Sequence, residues 1–310
     1  MRLAYRGRFA PSPTGALHLG SARTALVAWL RARSAGGRLV MRVEDLDPPR
    51  VVSGAADAIL ADLRWLGLDW DEGPDVGGPH APYVQSARGA LYDDAIARLA
   101  RSGFLYPCTC SRREIASIAS APHGPADDGP RYPGTCRVAP SHPGRPAALR
   151  FRMPDPAPGF TDAIHGVVAA SPGADDFVVR RADGLFAYQL AVVVDDAAMG
   201  VTEVVRGEDL LASTPRQIAL FRALGHEPPA FAHVPLVLGP DGTRLAKRHG
   251  AISIASTRDR GLAPEQVVGA IASTLGLVAR GASVAPVDLV ARFDLARVPR
   301  TPVALADLLA

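Results

Sequence analysis

The sequence predicts an α/β fold: a doubly wound nucleotide-binding unit, interrupted by an inserted module and followed by a short helical segment. Three observations carry that expectation. Strand-like and helical patterns alternate over residues 1–105 and again over 183–255. The alternation breaks over 106–182, where the cysteines, a Pro/Gly/Asp-rich stretch and short strands gather. At 10–20, APSPTGALHLG runs a proline- and glycine-rich loop into a helix that carries a histidine.

Taken in order, Arg8-Phe9-Ala10 reads as a strand end, because Pro11, Pro13 and Gly15 then forbid both strand and helix. A helical apolar pattern starts at Leu17 (Leu19, Ala22, Ala25, Leu26, Trp29, Leu30), and Gly36-Gly37 stops it. A strand, a tight loop and a helix N-terminus together make an anion site, since free amides and the helix dipole point to one place. Gly20 there admits a flat group close to the backbone, and His18 can donate a hydrogen bond to a phosphate oxygen. No Walker loop and no G-x-G-x-x-G fingerprint is present. A strand at 39–43 and helices near 53–66 and 86–102 complete the first half. Short strands at 148–153 and 177–181 fall in the insertion. The α/β pattern resumes at 188–194, with a strand at 201–205. A helix follows from Ser213, where Pro215 suits the first turn. Residues 234–238 read as a strand, Pro240-Asp241-Gly242 as a turn, and 264–277 and 287–293 as small helices within a 256–310 C-terminal region.

Composition sets outer bounds. A chain of 310 residues with 48% apolar and 21% charged residues suits a soluble globular protein of about two domains. No apolar run reaches the roughly 18 residues of a membrane span, and the N-terminus has no apolar export signal, so the expectation is a cytoplasmic protein without membrane partner. A net charge of +3 does not by itself demand nucleic acid. The 3 cysteines, Cys108, Cys110 and Cys136, are an odd count that argues against a disulfide framework and for a structural metal knuckle. Metal chemistry alone offers His123 or His142 as fourth ligand.

Downstream, GPDGTRLAKRHG at 239–250 places Arg244, Lys247, Arg248 and His249 on one short basic loop. Paired with the first loop, it resembles half of a nucleotide site. The stretches 18–21 (HLGS) and 244–248 (RLAKR) resemble the HIGH and KMSKS signatures of class I aminoacyl-tRNA synthetases. RVEDLD at 42–47, YQLAVVVDD at 188–196, VVRGEDLL at 204–211 and STPRQ at 213–217 resemble the glutamate branch of that class. The resemblance extends over about residues 5–255.

That resemblance implies ATP-dependent formation of glutamyl-adenylate, with Mg²⁺ arriving on ATP, followed by transfer of glutamate to RNA. Substrates supply both nucleophiles, so catalysis must come from positioning and from cations placed where charge develops. His18, Arg244 and Lys247 are the expected catalytic residues; His18, Gly20 and Lys247 are expected around ATP. Arg8, Phe9, Ala10, Pro11, Ser12, Glu44, Tyr188 and Arg206 match positions around glutamate. Arg206 is expected on the side-chain carboxylate as a bidentate pair, and Glu44 on the ammonium. An arginine at 206 argues against glutamine as substrate. For the metal, the resemblance picks Tyr132 as fourth ligand of a structural Zn²⁺. The insertion is expected to face RNA. Two residues depart from the signatures: Ser21 stands for the second histidine of HIGH, and Ala246 for the serine of KMSKS, a lost hydroxyl of order 1 kcal/mol.

The chain ends soon after the basic loop, whereas full-length members continue into helical domains that grip the anticodon. This suggests the truncated paralogues of the branch. They take the anticodon arm of tRNA(Asp) on the catalytic domain and join glutamate to the cyclopentenediol of its queuosine. No obligate protein partner is implied. Rival expectations are charging of a tRNA 3′ end, a non-catalytic RNA-binding paralogue, and a nucleotidyltransferase acting on a small molecule.

Overall fold

A computed structural model describes residues 4–118, 132–173, 175–239, 242 and 252–304. The chain opens with β1 (Arg6–Phe9), α1 (Leu19–Ser34) and β2 (Arg38–Met41). β1 and β2 pair in parallel, Arg8 opposite Val40, and the intervening helix is the crossover such a pair needs. Pro11 and Pro13 end β1 as expected. α1 starts at Leu19, two residues after the anticipated Leu17, because His18 serves as its N-cap. Gly36, at a left-handed φ of 60°, ends it. Gly37 could not carry a side chain, since a Cβ there would meet the Tyr5 carbonyl oxygen at 2.5 Å.

Two further helices follow, α2 (Ala55–Trp65) and α3 (Gly89–Arg101). β3 (Leu105–Cys108) comes next, followed by α4 (Arg112–Ile118), β4 (Ala148–Phe151), β5 (Phe160–Asp162), β6 (Gly166–Val168) and β7 (Phe177–Arg180). β3, β4 and β7 form their own three-stranded antiparallel sheet. The β5–β6 hairpin does not join it. β5 instead pairs in parallel with a strand of the second half, Asp162 opposite Phe231.

The second half contains α5 (Tyr188–Ala198), β8 (Glu203–Gly207), α6 (Thr214–Ala223), β9 (Ala230–Val234) and β10 (Val237–Leu238). Its sheet runs β6-β5-β9-β8, and β8 pairs with β9 in parallel, Arg206 opposite His233. The Thr202 N–H donates to the Arg6 carbonyl at 2.8 Å and ties this half to β1. The strand anticipated over 234–238 is broken at Pro235, which has no N–H to give a ladder. α6 is entered through a 3₁₀ turn, Glu208–Ser213, and Ser213 does not cap it; its hydroxyl instead accepts from Gln189 Nε2 at 3.0 Å. After α7 (Ile254–Asp259) and α8 (Pro264–Ser273), the segment anticipated as a helix at 287–293 is a 3₁₀ turn, Pro286–Arg292. β11 (Val303–Ala304) pairs in parallel with β10.

The largest core cluster joins α1 to α2, α8, β2 and the β9–β10 stretch, with Leu19, Ala22, Leu26, Trp29 and Leu30 inward. Burial of each large apolar side chain contributes about 1.5–3 kcal/mol, so α1 is held firmly by its face. Arg23 of α1 is also buried: its Nη1 donates to the Pro235 carbonyl at 2.7 Å and its Nε to Thr274 Oγ1 at 3.1 Å. Helix α1 therefore fixes the break between β9 and β10.

Candidate active site

The α1 end comes first. His18 Nδ1 accepts the Ser21 N–H at 3.1 Å. That nitrogen is therefore unprotonated, and the neutral ring carries its proton on Nε2. Nε2 lies 3.0 Å from Ser21 Oγ, where it is a donor able to turn to a phosphate oxygen. The amides are less open than the loop suggests. Ser21 N–H is taken by His18, and Leu19 N–H donates to the Ile252 carbonyl at 3.2 Å. A Cβ on Gly20 would sit 3.2 Å from His18 Nδ1 and 3.6 Å from Val237 Cβ. Arg244 and Lys247 lie outside the described residues. The chain on either side of their loop does not: Val237 abuts Gly20, and Ser253 forms an antiparallel bridge with His18.

The second group of residues converges from both halves. The Glu44 N–H donates to the Pro11 carbonyl at 3.0 Å and the Arg42 N–H to the Phe9 carbonyl at 3.0 Å, so the chain beyond β2 runs beside the 10–13 loop. Ser12 is exposed on that loop, Ala10 and Pro11 are half-buried, and the Phe9 side chain belongs to the core, leaving its backbone to face the loop. Arg42 is fully buried, with Nη1 2.7 Å from Asp196 Oδ1 and Nη2 3.0 Å from Glu44 Oε1. Arg8 Nε lies 3.5 Å from the same Asp196 oxygen. Burial raises the Glu44 carboxyl against the pull of Arg42 and Arg8. For Asp196 burial acts in the same direction, but Arg42 and Arg8 prevail and hold it below the usual range. Asp195 is held by Gln85, Arg88 and Tyr92, and its Oδ2 also lies 3.7 Å from Arg42 Nε.

Arg206 differs from the other two arginines. It is 4% exposed, and no carboxylate pairs with it among the described residues. Its donors meet neutral acceptors: Nε to His233 Nε2 at 3.0 Å, Nη1 to Gln217 Oε1 at 2.7 Å, Nη2 to Thr214 Oγ1 at 2.9 Å and to the Leu210 carbonyl at 3.3 Å. Burial lowers its pKa, and the Arg8 charge adds to that, while the Tyr188 phenol and Asp196 act against it. Tyr188, whose own phenol is raised by burial, senses Arg206, Glu44 and Arg8 together. Arg206 is thus a buried cation with no carboxylate in direct contact among the described residues, though the charge of Asp196 reaches it.

Arg42, Asp196, His233, Asp162, Gln217 and Thr214 were not among the residues anticipated for the site. Asp196 closes the quoted YQLAVVVDD stretch and Arg42 opens RVEDLD. Arg42 and Glu44 stand two apart, which puts both on one face of an extended chain. His233, a lone polar residue inside AFAHVPLV, carried no distinguishing signal.

The cysteines form a separate group. The sulfurs of Cys108, Cys110 and Cys136 lie within 4.8 Å of one another. Tyr132 Oη accepts the Cys136 N–H at 2.7 Å and lies 3.4 Å from Cys108 Sγ. Burial would raise the Cys136 thiol, yet hydrogen bonds from Ser141 and nearby amides bring it down to about 5. His142 Nε2 faces Glu114 at 3.1 Å, and His123 lies outside the described residues. Three convergent thiols suit a soft tetrahedral cation.

The family described as "tRNA synthetases class I (E and Q), catalytic domain" matches residues 4–285. The chain belongs to that family. This synthetase is an aminoacyl-tRNA synthetase-like ligase. It is 60% identical over 305 residues to a glutamyl-Q tRNA(Asp) synthetase of Symbiobacterium thermophilum, covering 96% of this chain and 94% of the relative. A second glutamyl-Q tRNA(Asp) synthetase, of Nitratidesulfovibrio vulgaris, is 50% identical over 314 residues, covering 98% and 97%. Among solved structures, a glutamate tRNA ligase of Elizabethkingia meningosepticum in complex with its amino acid superposes with a TM-score of 0.83 at 30% identity, covering 99% of this chain and 68% of that one. No helix of the described residues is long and apolar enough to cross a membrane.

Proposed function

We propose that this synthetase activates L-glutamate with ATP to glutamyl-adenylate and transfers the glutamyl group to the queuosine of tRNA(Asp), forming glutamyl-queuosine. The single observation that carries the glutamate part is the buried Arg206 guanidinium. No carboxylate of the described residues pairs with it directly, so a substrate carboxylate would find a buried cation to pair with. Glutamate's γ-carboxylate is that partner; Glu44 and Tyr188 sit where the ammonium and carbon chain would lie, with Ser12 at the α-carboxylate end. Arg206 is engaged by His233, Gln217, Thr214 and the Leu210 carbonyl and is also hydrogen-bonded to Tyr188, so a bidentate grip requires existing contacts to yield, the weak one to Leu210 at 3.3 Å among them.

His18 Nε2 and the Gly20 backbone receive the α-phosphate of ATP, which brings Mg²⁺, and Arg244 and Lys247 stabilise the leaving pyrophosphate. Attack by the α-carboxylate on the α-phosphorus expels pyrophosphate. A hydroxyl of the acceptor then attacks the activated carbonyl and expels AMP. The acceptor assignment is supported by relatives of that name that match nearly end to end, at 60% and 50% identity. The catalytic domain is expected to take the anticodon arm of the RNA, with the insertion at 106–182 facing the RNA. Cys108, Cys110, Tyr132 and Cys136 would hold a structural Zn²⁺, which neutralises the thiolates and locks the knuckle.

The test supplies ATP, labelled glutamate and total tRNA from queuosine-replete or queuosine-deficient cells. Glutamate-dependent pyrophosphate exchange without RNA, and labelling of the replete pool alone, are expected. Equal labelling of both pools would instead mean charging of a 3′ end. Absence of exchange in every condition would mean a binding paralogue.

A further inference from the structure

We propose that Asp162 and His233 form a positioning relay that fixes the Arg206 guanidinium in the glutamate pocket, and so sets the preference for an anionic side chain over its amide. The proposal rests on the glutamate reading above and deepens it.

The relay is read from three side chains. Asp162 Oδ2 lies 2.6 Å from His233 Nδ1, and its other oxygen accepts the N–H groups of Ile164 and His165, both at 2.9 Å, and of His233 at 3.3 Å. An ionised carboxylate can only accept, so the ring proton sits on Nδ1. Nε2 is then a lone-pair acceptor, and Arg206 Nε, which always carries hydrogen, donates to it at 3.0 Å. The other tautomer would set two N–H groups against each other. His233 is 0% exposed and Asp162 1%, so water does not compete for either contact. Burial, helped by the Arg206 charge, holds the ring neutral against the pull of Asp162, lowering its pKa to about 4. Backbone pairing reinforces the line, since Arg206 stands opposite His233 and Asp162 opposite Phe231 in the same sheet.

A neutral ring does here what a carboxylate could not. An acidic residue touching Arg206 would orient it and cancel its charge. The imidazole passes on the orientation imposed by Asp162 and leaves the guanidinium positive. A γ-carboxylate then gains a charge-assisted bond that a γ-amide cannot match. Gln217 and Thr214 take the Nη donors with neutral groups for the same reason, and Thr214 Oγ1 also lies 3.2 Å from His233 Nε2.

The test uses the intact chain and two readouts. In substrate-free protein with ¹⁵N-labelled histidine, His233 is expected as the neutral Nδ1–H tautomer at neutral pH. In pyrophosphate exchange, His233→Leu is expected to raise KM for glutamate roughly tenfold to a hundredfold, to leave KM for ATP within about twofold, and to narrow the glutamate-over-glutamine preference. His233→Gln, whose amide oxygen can still accept from Arg206, recovers most of that loss. An Nε2–H tautomer, or parallel rises in both Michaelis constants with no recovery by His233→Gln, overturns the relay. A wild-type chain with no glutamate-dependent exchange overturns the glutamate reading instead, and the tautomer still decides the relay.

Discussion

His18 and Ser253, far apart in sequence, face each other across an antiparallel backbone bridge, with Ile254 N–H donating to the Leu17 carbonyl at 2.8 Å and Leu19 N–H to the Ile252 carbonyl at 3.2 Å. The segment that carries Lys247 therefore re-enters the described fold against the cap of α1. Its other flank, Val237, lies close enough to Gly20 that a Cβ there would stand 3.6 Å from Val237 Cβ. The described chain on both sides of residues 240–251 thus meets the helix terminus that the 10–18 loop enters.

Gly20→Ala tests that terminus. Alanine favours a helix over glycine by about 1 kcal/mol, so thermal stability should hold or rise. The added methyl, however, would stand 3.2 Å from His18 Nδ1. It should tilt the ring off the Ser21 amide and lower kcat/KM for ATP by about tenfold or more. Thermal melts and exchange kinetics on one preparation check both directions; a drop in stability together with unchanged kinetics contradicts the assignment.

Arg206→Ala should raise KM for glutamate by about thirtyfold or more, the loss of a charge-assisted bond of roughly 2–3 kcal/mol, with KM for ATP nearly constant. Initial-rate exchange kinetics with each substrate varied in turn check this. Equal rises in both constants would remove Arg206 from the side-chain pocket.

The buried imidazole gives a pH dependence. An unfolded histidine takes up its proton near pH 6.5, whereas His233 in the fold does so only near 4. The unfolded chain therefore binds more protons between those values, and folding stability should fall as pH drops from 6.5 toward 4, by up to about 3 kcal/mol. Asp162, held down to about 2 chiefly by His233 and nearby amides despite its burial, adds a further loss only below about 3.8. Denaturant titrations from pH 7 to 4 check the slope, and His233→Gln should flatten it.

The three cysteines and Tyr132 pack in their own cluster with Tyr106 and Ile115, apart from the core around α1. Removal of zinc by a chelator, or Cys136→Ser, should lower the melting temperature and weaken transfer to RNA. Exchange without RNA should be nearly unchanged. Metal analysis should find about one zinc per chain. A full loss of exchange on chelation would place the ion in the chemistry instead.

The sequence made some of this legible because local punctuation is strong there. Pro11, Pro13 and Gly36 fix the limits of the first loop and helix whatever surrounds them, and Pro264 starts α8 in the same way. Other features depend on distant partners. The three-residue strand Phe160–Asp162 is too short to show alternation, and it acquires its place only by pairing with Phe231. The same holds for Asp162 and His233, which meet only when that strand joins the sheet. Arg42 was legible as a charge beside Glu44, but its role as the common partner of Glu44 and Asp196 required α5 to bring Asp196 to it from 154 residues away. His18 as its own helix cap was missed because histidine is not among the usual capping residues.

The most direct measurement is a crystal structure with a non-hydrolysable glutamyl-adenylate analogue. The expected result places the γ-carboxylate within hydrogen-bond distance of Arg206, the phosphate-mimicking group on His18 Nε2, and Lys247 across the same nucleotide from Gly20. An analogue seated with its side chain away from Arg206, or with Gly20 and Lys247 on separate surfaces, would contradict the single pocket.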